Sequence, residues 1–238
     1  LGERKEVLPL DAIVSNDASR SRATFAGRFA ASGLAVPPDR IVSAGTLLPA
    51  YFAAHRGARV CVLGTDDSCA FVEEGGGVVV DLREGMEIDA LAICDDGGTP
   101  FLDGMELALS AVVRMVRAGK RPILVCPNPD LVYPRSPGEY GITAGAMAAL
   151  LETAFARLLP GANLAFDYLG KPLPHLMRAG AQNLGVASER VVMIGDQLET
   201  DVAGAVAAGI DVALLAGVSR WEGSSAFVPT YLLDAIAP

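Results

Sequence analysis

Two aspartates follow an apolar run late in the chain, in the segment Val191-Val192-Met193-Ile194-Gly195-Asp196-Gln197-Leu198-Glu199-Thr200-Asp201. The run predicts a buried strand, and Gly195 permits a tight exit that presents Asp196 at the strand tip. Asp201 stands close to the start of a predicted helix. Carboxylates held together in this way suit a hard cation such as Mg²⁺, which takes few protein oxygens and keeps several waters. The alternative is that Asp201 caps its helix and Asp196 makes a turn.

A lysine occupies a second segment of interest, Phe166-Asp167-Tyr168-Leu169-Gly170-Lys171-Pro172. Gly170 lets the backbone bend before the lysine, and Pro172 suits the first turn of a following helix. The ammonium group of Lys171 is a point charge that can hold a phosphate oxygen or neutralise a nearby carboxylate. The alternative is a solvated lysine in a loop.

A hydroxyl and an amide follow the first predicted strand, in Ile13-Val14-Ser15-Asn16-Asp17. Ser15 could donate a hydrogen bond to a phosphate oxygen, together with exposed backbone N–H groups. The alternative is an N-cap or turn for the next helix, a position that Ser, Asn and Asp favour in any case.

Apolar runs alternate with helical patterns along the whole chain. Their Val, Ile and Leu runs lack a period of two, which favours mostly parallel sheets covered on both faces and an α/β class. The predicted strands are 8–14, 40–43, 59–63, 78–80, 88–94, 122–126, 163–166, 190–194 and 211–215, and the predicted helices are 20–32, 46–55, 66–74, 103–118, 143–158, 173–184 and 199–208. The loops after the strands carry the unusual residues, and ligands bind at that edge of open α/β sheets.

Composition excludes several classes of function. The formal net charge of −9 comes without a cluster of basic residues, so we expect no nucleic-acid partner. Apolar stretches are too short to cross a membrane, and the charged start Leu1-Gly2-Glu3-Arg4-Lys5-Glu6 is unlike a secretory signal, so we expect a cytoplasmic protein. The four cysteines have no metal-ligand spacing and are predicted to be reduced, and three of them, Cys61, Cys94 and Cys126, lie in predicted strands. No G-x-G-x-x-G follows a strand, which disfavours a dinucleotide-binding enzyme.

The three segments, in this order, resemble motifs two, three and four of haloacid dehalogenase superfamily phosphatases, subfamily IIA, which includes 4-nitrophenyl, nucleotide and phosphoglycolate phosphatases. Asn128-Pro129-Asp130 and Gly217-Val218-Ser219 extend the resemblance over nearly the whole chain. It implies a doubly wound parallel core with an inserted α/β cap. We predict a core at 1–46 and 164–238 and a cap at 47–163.

The resemblance also implies a role for each matched residue. Ser15 matches the hydroxyl that binds the transferring phosphoryl group, and Asn16 beside it is predicted to bind phosphate as well. Lys171 matches the lysine that steadies the charges of nucleophile and phosphate. Asp196 matches a Mg²⁺ ligand, and Asp201 the acid that supports the metal shell. Two cap residues, Asn128 and Asp130, match a segment that faces the core cleft and contacts substrate.

One departure concerns the nucleophile. The family begins with a strand ending in Asp-x-Asp, whose first aspartate attacks phosphorus and whose second is the general acid/base. Residues 1–14 contain no such pair, because Asp11 has no partner at the +2 position. We expect that about 30 residues with this strand precede the chain, since a core without its first strand would expose apolar sheet edges.

The expected function is Mg²⁺-dependent hydrolysis of a small phosphorylated metabolite through an aspartyl-phosphate. The alternative is a phosphate-binding protein of the same fold that lacks the nucleophile. Dehalogenation ranks low, because dehalogenases carry a smaller cap in another place. The oligomeric state stays open, with a homodimer as one expectation. The roles of His175, Tyr133, Tyr140 and Trp221 also stay open.

Overall fold

A computed structural model describes residues 11–136, 138–223 and 226–235. Strands and helices alternate along most of this part. The strands are β1 (Ile13–Ser15), β2 (Ile41–Ser43), β3 (Arg59–Leu63), β4 (Val78–Val79), β5 (Ala90–Ile93), β6 (Ile123–Cys126), β7 (Val132–Ser136), β8 (Glu139–Ile142), β9 (Asp167–Tyr168), β10 (Val192–Gly195), β11 (Asp211–Leu215) and β12 (Tyr231–Leu233). The α-helices are α1 (Arg22–Ala31), α2 (Leu48–Ala53), α3 (Asp66–Glu74), α4 (Phe101–Arg117), α5 (Ala144–Leu158), α6 (Pro174–Leu184) and α7 (Ala203–Ala208).

The largest sheet has five parallel strands in the order β4-β3-β5-β6-β9. Its central strand, β5, is fully buried, because helices pack on both faces. One face packs against α4 and α5 through residues such as Leu151 and Phe155, and the other packs against α2 and α3 through Phe52 and Val72. The predicted α/β class with parallel sheets is therefore confirmed.

Two smaller parallel sheets stand beside the large one. β1 pairs with β2, and β10 pairs with β11, which in turn pairs with β12. Helix α6 packs against β1, β2 and α7, so that Val14 of β1 joins the same apolar cluster as Met177 of α6 and Val212 of β11. Within the described residues β1 has a hydrogen-bonded neighbour on one side only, and so has β10.

The structure corrects three details of the predicted elements. The stretch between the predicted strand 122–126 and the predicted helix 143–158, for which no strand was predicted, contains the antiparallel hairpin β7–β8. The strand predicted at 163–166 is absent: Asn163 has a left-handed φ of 46°, Phe166 N donates to Glu152 Oε1, and pairing starts at Asp167. β12 was not predicted, because Tyr231 and Leu232 are exposed and give no core pattern.

The structure also bears on the predictions for the cysteines, for membrane spans and for the domain borders. Cys61, Cys94 and Cys126 are buried and free, as predicted, whereas Cys69 is free but only partly buried. In the part of the chain that the structure describes, no helix has the length and apolarity of a membrane span. The strands of the large sheet run from β3 to β9, so the last of them lies outside the range 47–163. The division into a core at 1–46 and 164–238 and a cap at 47–163 stays a prediction.

Candidate active site

Lys171 and Asp201 form an ion pair with 2.6 Å between Lys171 Nζ and Asp201 Oδ1. The two side chains are only 12% and 5% exposed. The lysine follows β9 and the aspartate lies in a π-helical turn, Leu198–Val202, that leads into α7. Each side chain thus neutralises the other in a place with little water, where an unpaired charge would be costly.

The second carboxylate oxygen of Asp201 holds the tip of β10. Asp201 Oδ2 accepts hydrogen bonds from the backbone N–H groups of Asp196 at 3.1 Å and Gln197 at 3.2 Å. A Cβ on Gly195 would stand 2.4 Å from Asp201 Cβ, so only glycine fits at the strand exit. Asp201 therefore does not cap its own helix, as the alternative interpretation proposed, but holds the backbone at the tip of β10 and binds Lys171.

Asn16 ties the end of β1 to the lysine segment. Its Oδ1 accepts from Lys171 N at 2.7 Å, and its Nδ2 donates to Lys171 O and to Asp130 Oδ1, both at 3.0 Å. Both amide hydrogens are therefore engaged, and the side chain is buried. Asn16 fixes the backbone that carries the ammonium group, whereas its own side chain has no donor left for a ligand.

Gly170 allows Asn16 to approach the backbone of the lysine segment, because a glycine places no side chain between them. A Cβ at position 170 would lie 2.6 Å from Asn16 Oδ1 and 2.7 Å from Pro127 O. We expect Gly170→Ala to lower the free energy of unfolding by about 2 kcal/mol through overpacking. Gly27→Ala in α1 is the control, because nothing lies within 4 Å of the added methyl group.

We expect the control to raise the free energy of unfolding by up to about 1 kcal/mol, since alanine favours the helix. Urea titration of both variants measures the difference. Equal effects of the two substitutions would contradict the close packing of Gly170 against Asn16.

A polar cleft of about 380 Å³, which we call the Ser15 cleft, lies beside the hydrogen bonds of Asn16. It is lined by Ser15, Asn16, Asp17, Arg20, Asp95, Asp96, Asn128, Asp130, Tyr133, Ile142, Thr143, Lys171, Gln197 and Thr200. A groove of about 290 Å³, called the β10 groove, has Lys171 as a shared wall and is also lined by Val14, Met193, Ile194, Gly195, Asp196, Asp201 and Leu215. Lys171 thus connects Ser15 with Asp196, although these residues are far apart in the chain.

The two predicted cap residues stand at the edge of the same cleft. Asn128 Oδ1 accepts from Asp130 N at 3.0 Å and shapes the turn after β6. The Asp130 carboxylate accepts from Asn16, while its backbone oxygen accepts from Thr143 Oγ1. Burial raises the pKa of Asp130 above the ordinary 3.8, helped by the nearby charge of Asp201 and opposed by Asn16 and Lys171.

The raised pKa of Asp130 predicts a pH dependence of stability. The stabilisation from this group is complete below the unfolded pKa and is lost as pH rises through the folded pKa. An asparagine at this position cannot ionise, so Asp130→Asn does not lose stability as the pH rises. Its side-chain oxygen can still accept the hydrogen bond from Asn16 Nδ2. We therefore expect the variant to gain stability relative to the wild type as the pH rises above the ordinary pKa of 3.8, in urea unfolding at each pH. A difference that is constant with pH would contradict the prediction.

The carboxylates at the tip of β10 fit a magnesium ion by their chemistry. Asp196 is partly exposed in the β10 groove, and its carboxylate accepts no hydrogen bond from the described residues. Both oxygens of Asp201 are engaged with Lys171 and the β10 tip. No cluster of three or more His, Cys, Asp or Glu with metal-binding geometry occurs in 11–136, 138–223 or 226–235. Mg²⁺ needs only one or two carboxylates beside waters and phosphate oxygens, so Asp196 fits as its ligand.

The four residues without a predicted role lie in different parts of the structure. Tyr133 lines the Ser15 cleft, whereas Tyr140 on the paired strand is 68% exposed. His175 is exposed on α6 and lines neither the Ser15 cleft nor the β10 groove. Trp221 packs against the cluster around α6 and α7.

Sequence reasoning missed several residues of the cleft wall. Arg20 forms an ion pair with Asp17, and both line the Ser15 cleft. Asp95 and Asp96 also line it. They follow the predicted strand 88–94, at the sheet edge where the sequence predicts ligand binding, although no role was predicted for them individually.

Comparison with known proteins agrees with this arrangement. Two family models match the chain, haloacid dehalogenase-like hydrolase over residues 11–77 and HAD-hydrolase-like over residues 168–237. Human chronophin is 30% identical over 244 residues, which cover 94% of this chain and 78% of chronophin. Dihydroxyacetone phosphatase of Corynebacterium glutamicum is 26% identical, with 94% and 76% covered.

A solved structure has the same fold. The glycerol phosphate phosphatase of Mycobacterium tuberculosis in complex with magnesium superposes with a TM-score of 0.77 at 25% sequence identity, covering 95% of this chain and 66% of that protein. The segments matched by the two family models include those that carry Ser15, Lys171 and Asp196. This chain belongs to the haloacid dehalogenase-like hydrolases, among the phosphatases of subfamily IIA.

Proposed function

We propose that the protein hydrolyses small-molecule phosphate monoesters in a Mg²⁺-dependent reaction that passes through an aspartyl-phosphate. The observation that carries the proposal is the ammonium group of Lys171, which is held 2.6 Å from Asp201 and shared by the Ser15 cleft and the β10 groove. Phosphoryl transfer depends mostly on positioned charges, because the transition state spreads negative charge over the equatorial oxygens.

Each residue has a part in this proposal that follows from its contacts. Lys171 holds a phosphate oxygen, and Asp201 orients the ammonium group through their ion pair. Ser15 donates its hydroxyl to a second oxygen, with backbone N–H groups of the following loop beside it. Asn16 fixes the Lys171 backbone, so that the lysine and the serine keep a constant separation.

Asp196 would hold the magnesium ion, with Asp201 supporting the turn behind it. When bound, the metal supplies a Lewis acid that withdraws charge from phosphate oxygens. The mycobacterial phosphatase, whose structure was solved in complex with magnesium, supports this choice of cation.

The nucleophile in this proposal is the first aspartate of an Asp-x-Asp strand, and the second is the general acid/base. Residues 1–238 contain no Asp-x-Asp pair. Among the described residues one edge of β1 and one edge of β10 have no strand partner, which supports a strand between them, because both strands flank the β10 groove and because Val192 and Ile194 of β10 are 49% and 48% exposed. An aspartate at the end of that strand would stand beside Lys171 and Asp196.

The substrate class in the proposal is a small phosphorylated metabolite. The relatives include a dihydroxyacetone phosphatase, and the solved structure is that of a glycerol phosphate phosphatase. The Ser15 cleft, with its volume of about 380 Å³, supports a compact leaving group, which would lie near Asn128, Asp130 and Tyr133. The buried, free cysteines support a cytoplasmic location. The proposal also includes a homodimer.

Phosphate release from 4-nitrophenyl phosphate by the full-length protein tests the proposal. We expect turnover with Mg²⁺ and none with excess chelator. Binding of inorganic phosphate without turnover, under any metal condition, would instead favour the phosphate-binding protein that lacks a nucleophile.

A further inference from the structure

The segment that carries Ser15 is anchored by a helix outside the three motifs. Residues 15–21, called the Ser15 loop, run from the end of β1 to the N-cap of α1. Residues 65–68, called the anchor turn, form the start of α3 behind strand β3. The two segments are far apart in sequence and are joined by three hydrogen bonds, and a fourth joins the anchor turn to Thr24 in the first turn of α1.

Two of these bonds come from a capping box. Thr65 and Ser68 cap each other's backbone at the start of α3, which uses their oxygens as acceptors. Their hydroxyl protons both go to the Ser15 loop: Thr65 Oγ1 donates to Ser19 O at 2.6 Å, and Ser68 Oγ donates to Ala18 O at 2.8 Å. Ala18, Ser19 and Ser68 are buried, so these carbonyl groups have little water as an alternative partner.

Asp67 makes the other two bonds and reaches the start of α1. Its Oδ2 accepts from Ser21 N at 2.8 Å and from Thr24 Oγ1 at 2.7 Å. Helix α1 has no acidic residue in its own first turn, so Asp67 supplies the negative charge that a helix N-terminus favours. The hydrogen bond from Ser21 lowers the pKa of Asp67, in agreement with this contact.

Hydrogen bonds continue from the anchored end of the loop to Ser15. Asp17 Oδ1 accepts from Ser19 N at 2.8 Å and from Ser19 Oγ at 3.1 Å. Ser15 Oγ accepts from Asp17 N at 3.2 Å. A displacement of Ser19 or Ser21 would therefore move the hydroxyl group of Ser15.

We propose that Asp67 is a positioning residue for the reaction: it fixes the Ser15 loop against α3 and thereby holds Ser15 at the phosphoryl group. The proposal rests on the proposed phosphatase function. Asp67 does not line the Ser15 cleft, so its effect must pass through the loop. A loosened loop loses interactions that matter most at the charged transition state, so kcat falls more than KM rises.

Three variants of the full-length protein test this. Asp67→Ala removes the acceptor, Asp67→Asn keeps one oxygen for Ser21 and Thr24, and Asp66→Ala removes the neighbouring acid of the same helical turn. Asp66 is exposed and makes no hydrogen bond among the described residues. The readouts are kcat and KM for 4-nitrophenyl phosphate and hydrogen–deuterium exchange of the Ser21 amide.

We expect Asp67→Ala to lower kcat about tenfold with KM within about twofold, and to speed exchange of the Ser21 amide about tenfold. Asp67→Asn should have a kcat and a rate of Ser21 amide exchange close to those of the wild type. Asp66→Ala should resemble the wild type in both measurements. Identical behaviour of Asp67→Ala and Asp66→Ala in both readouts would overturn the proposal. Absence of turnover in the wild type would refute the phosphatase function, and amide exchange would still decide whether Asp67 anchors the loop.

Discussion

Lys171→Met is expected to lower kcat for phosphate monoesters about 1000-fold, because it removes a positive charge from the place where negative charge develops in the transition state. The substitution also leaves Asp201, which is 5% exposed, as a buried carboxylate without its cation. We therefore expect the free energy of unfolding to fall by about 3 kcal/mol or more. Phosphate release and urea titration measure the two effects.

A double variant separates catalysis from stability. Asp201→Asn keeps an oxygen for the N–H groups of Asp196 and Gln197 but carries no charge, so Lys171→Met with Asp201→Asn should recover much of the lost stability. Activity should stay low, since the ammonium group is still absent. Lys120→Met is the control for removal of an exposed lysine, and we expect no change in kcat. A Lys171→Met variant with kcat within tenfold of the wild type would contradict the role of the lysine.

Asp196→Asn is expected to weaken Mg²⁺ binding about 100-fold and to lower kcat at fixed Mg²⁺ by about 1000-fold, because a hard cation loses a charged oxygen ligand. Stability should change little: the carboxylate is partly exposed and accepts no hydrogen bond within the described part of the chain. Isothermal titration with Mg²⁺ measures the binding independently of turnover.

Glu199→Gln is the matched control for Asp196→Asn. Glu199 carries the same charge in the adjacent turn, but its side chain is exposed and lines neither the Ser15 cleft nor the β10 groove. We expect its Mg²⁺ affinity to match that of the wild type. Equal loss of affinity in both variants would show a general effect of local charge and would refute Asp196 as a ligand.

Much of the fold could be predicted from the apolar runs, because strands of a parallel sheet are buried on both faces and carry a strong signal. The hairpin of β7 and β8 gave no such signal. Its residues are mostly exposed, and Pro134 and Gly138 are typical of loops. Tyr133 faces Gly141 across the hairpin, and a Cβ on Gly141 would collide with the tyrosine ring, a contact that only the paired strands reveal.

The residues of the candidate site were easier to predict from the sequence than the hydrogen bonds and ion pairs that join them. Motif order identified Ser15, Lys171 and Asp196, and the structure brings them around shared clefts. The resemblance implies that Asp201 supports a metal shell, which stays a prediction, and the ion pair of Asp201 with Lys171 was not predicted. Nothing in the local sequence of Asp67 indicates its bonds to Ser21 and Thr24, because they depend on how α3 packs against α1.

The convergence of Ser15, Lys171 and Asp196 on one phosphoryl group is tested most directly by a crystal structure of the full-length protein with Mg²⁺ and tungstate, a phosphate analogue. The account predicts one anion within hydrogen-bond distance of Ser15 Oγ and Lys171 Nζ, with the metal bound by Asp196. An anion bound away from Lys171, or a metal bound without Asp196, would contradict it.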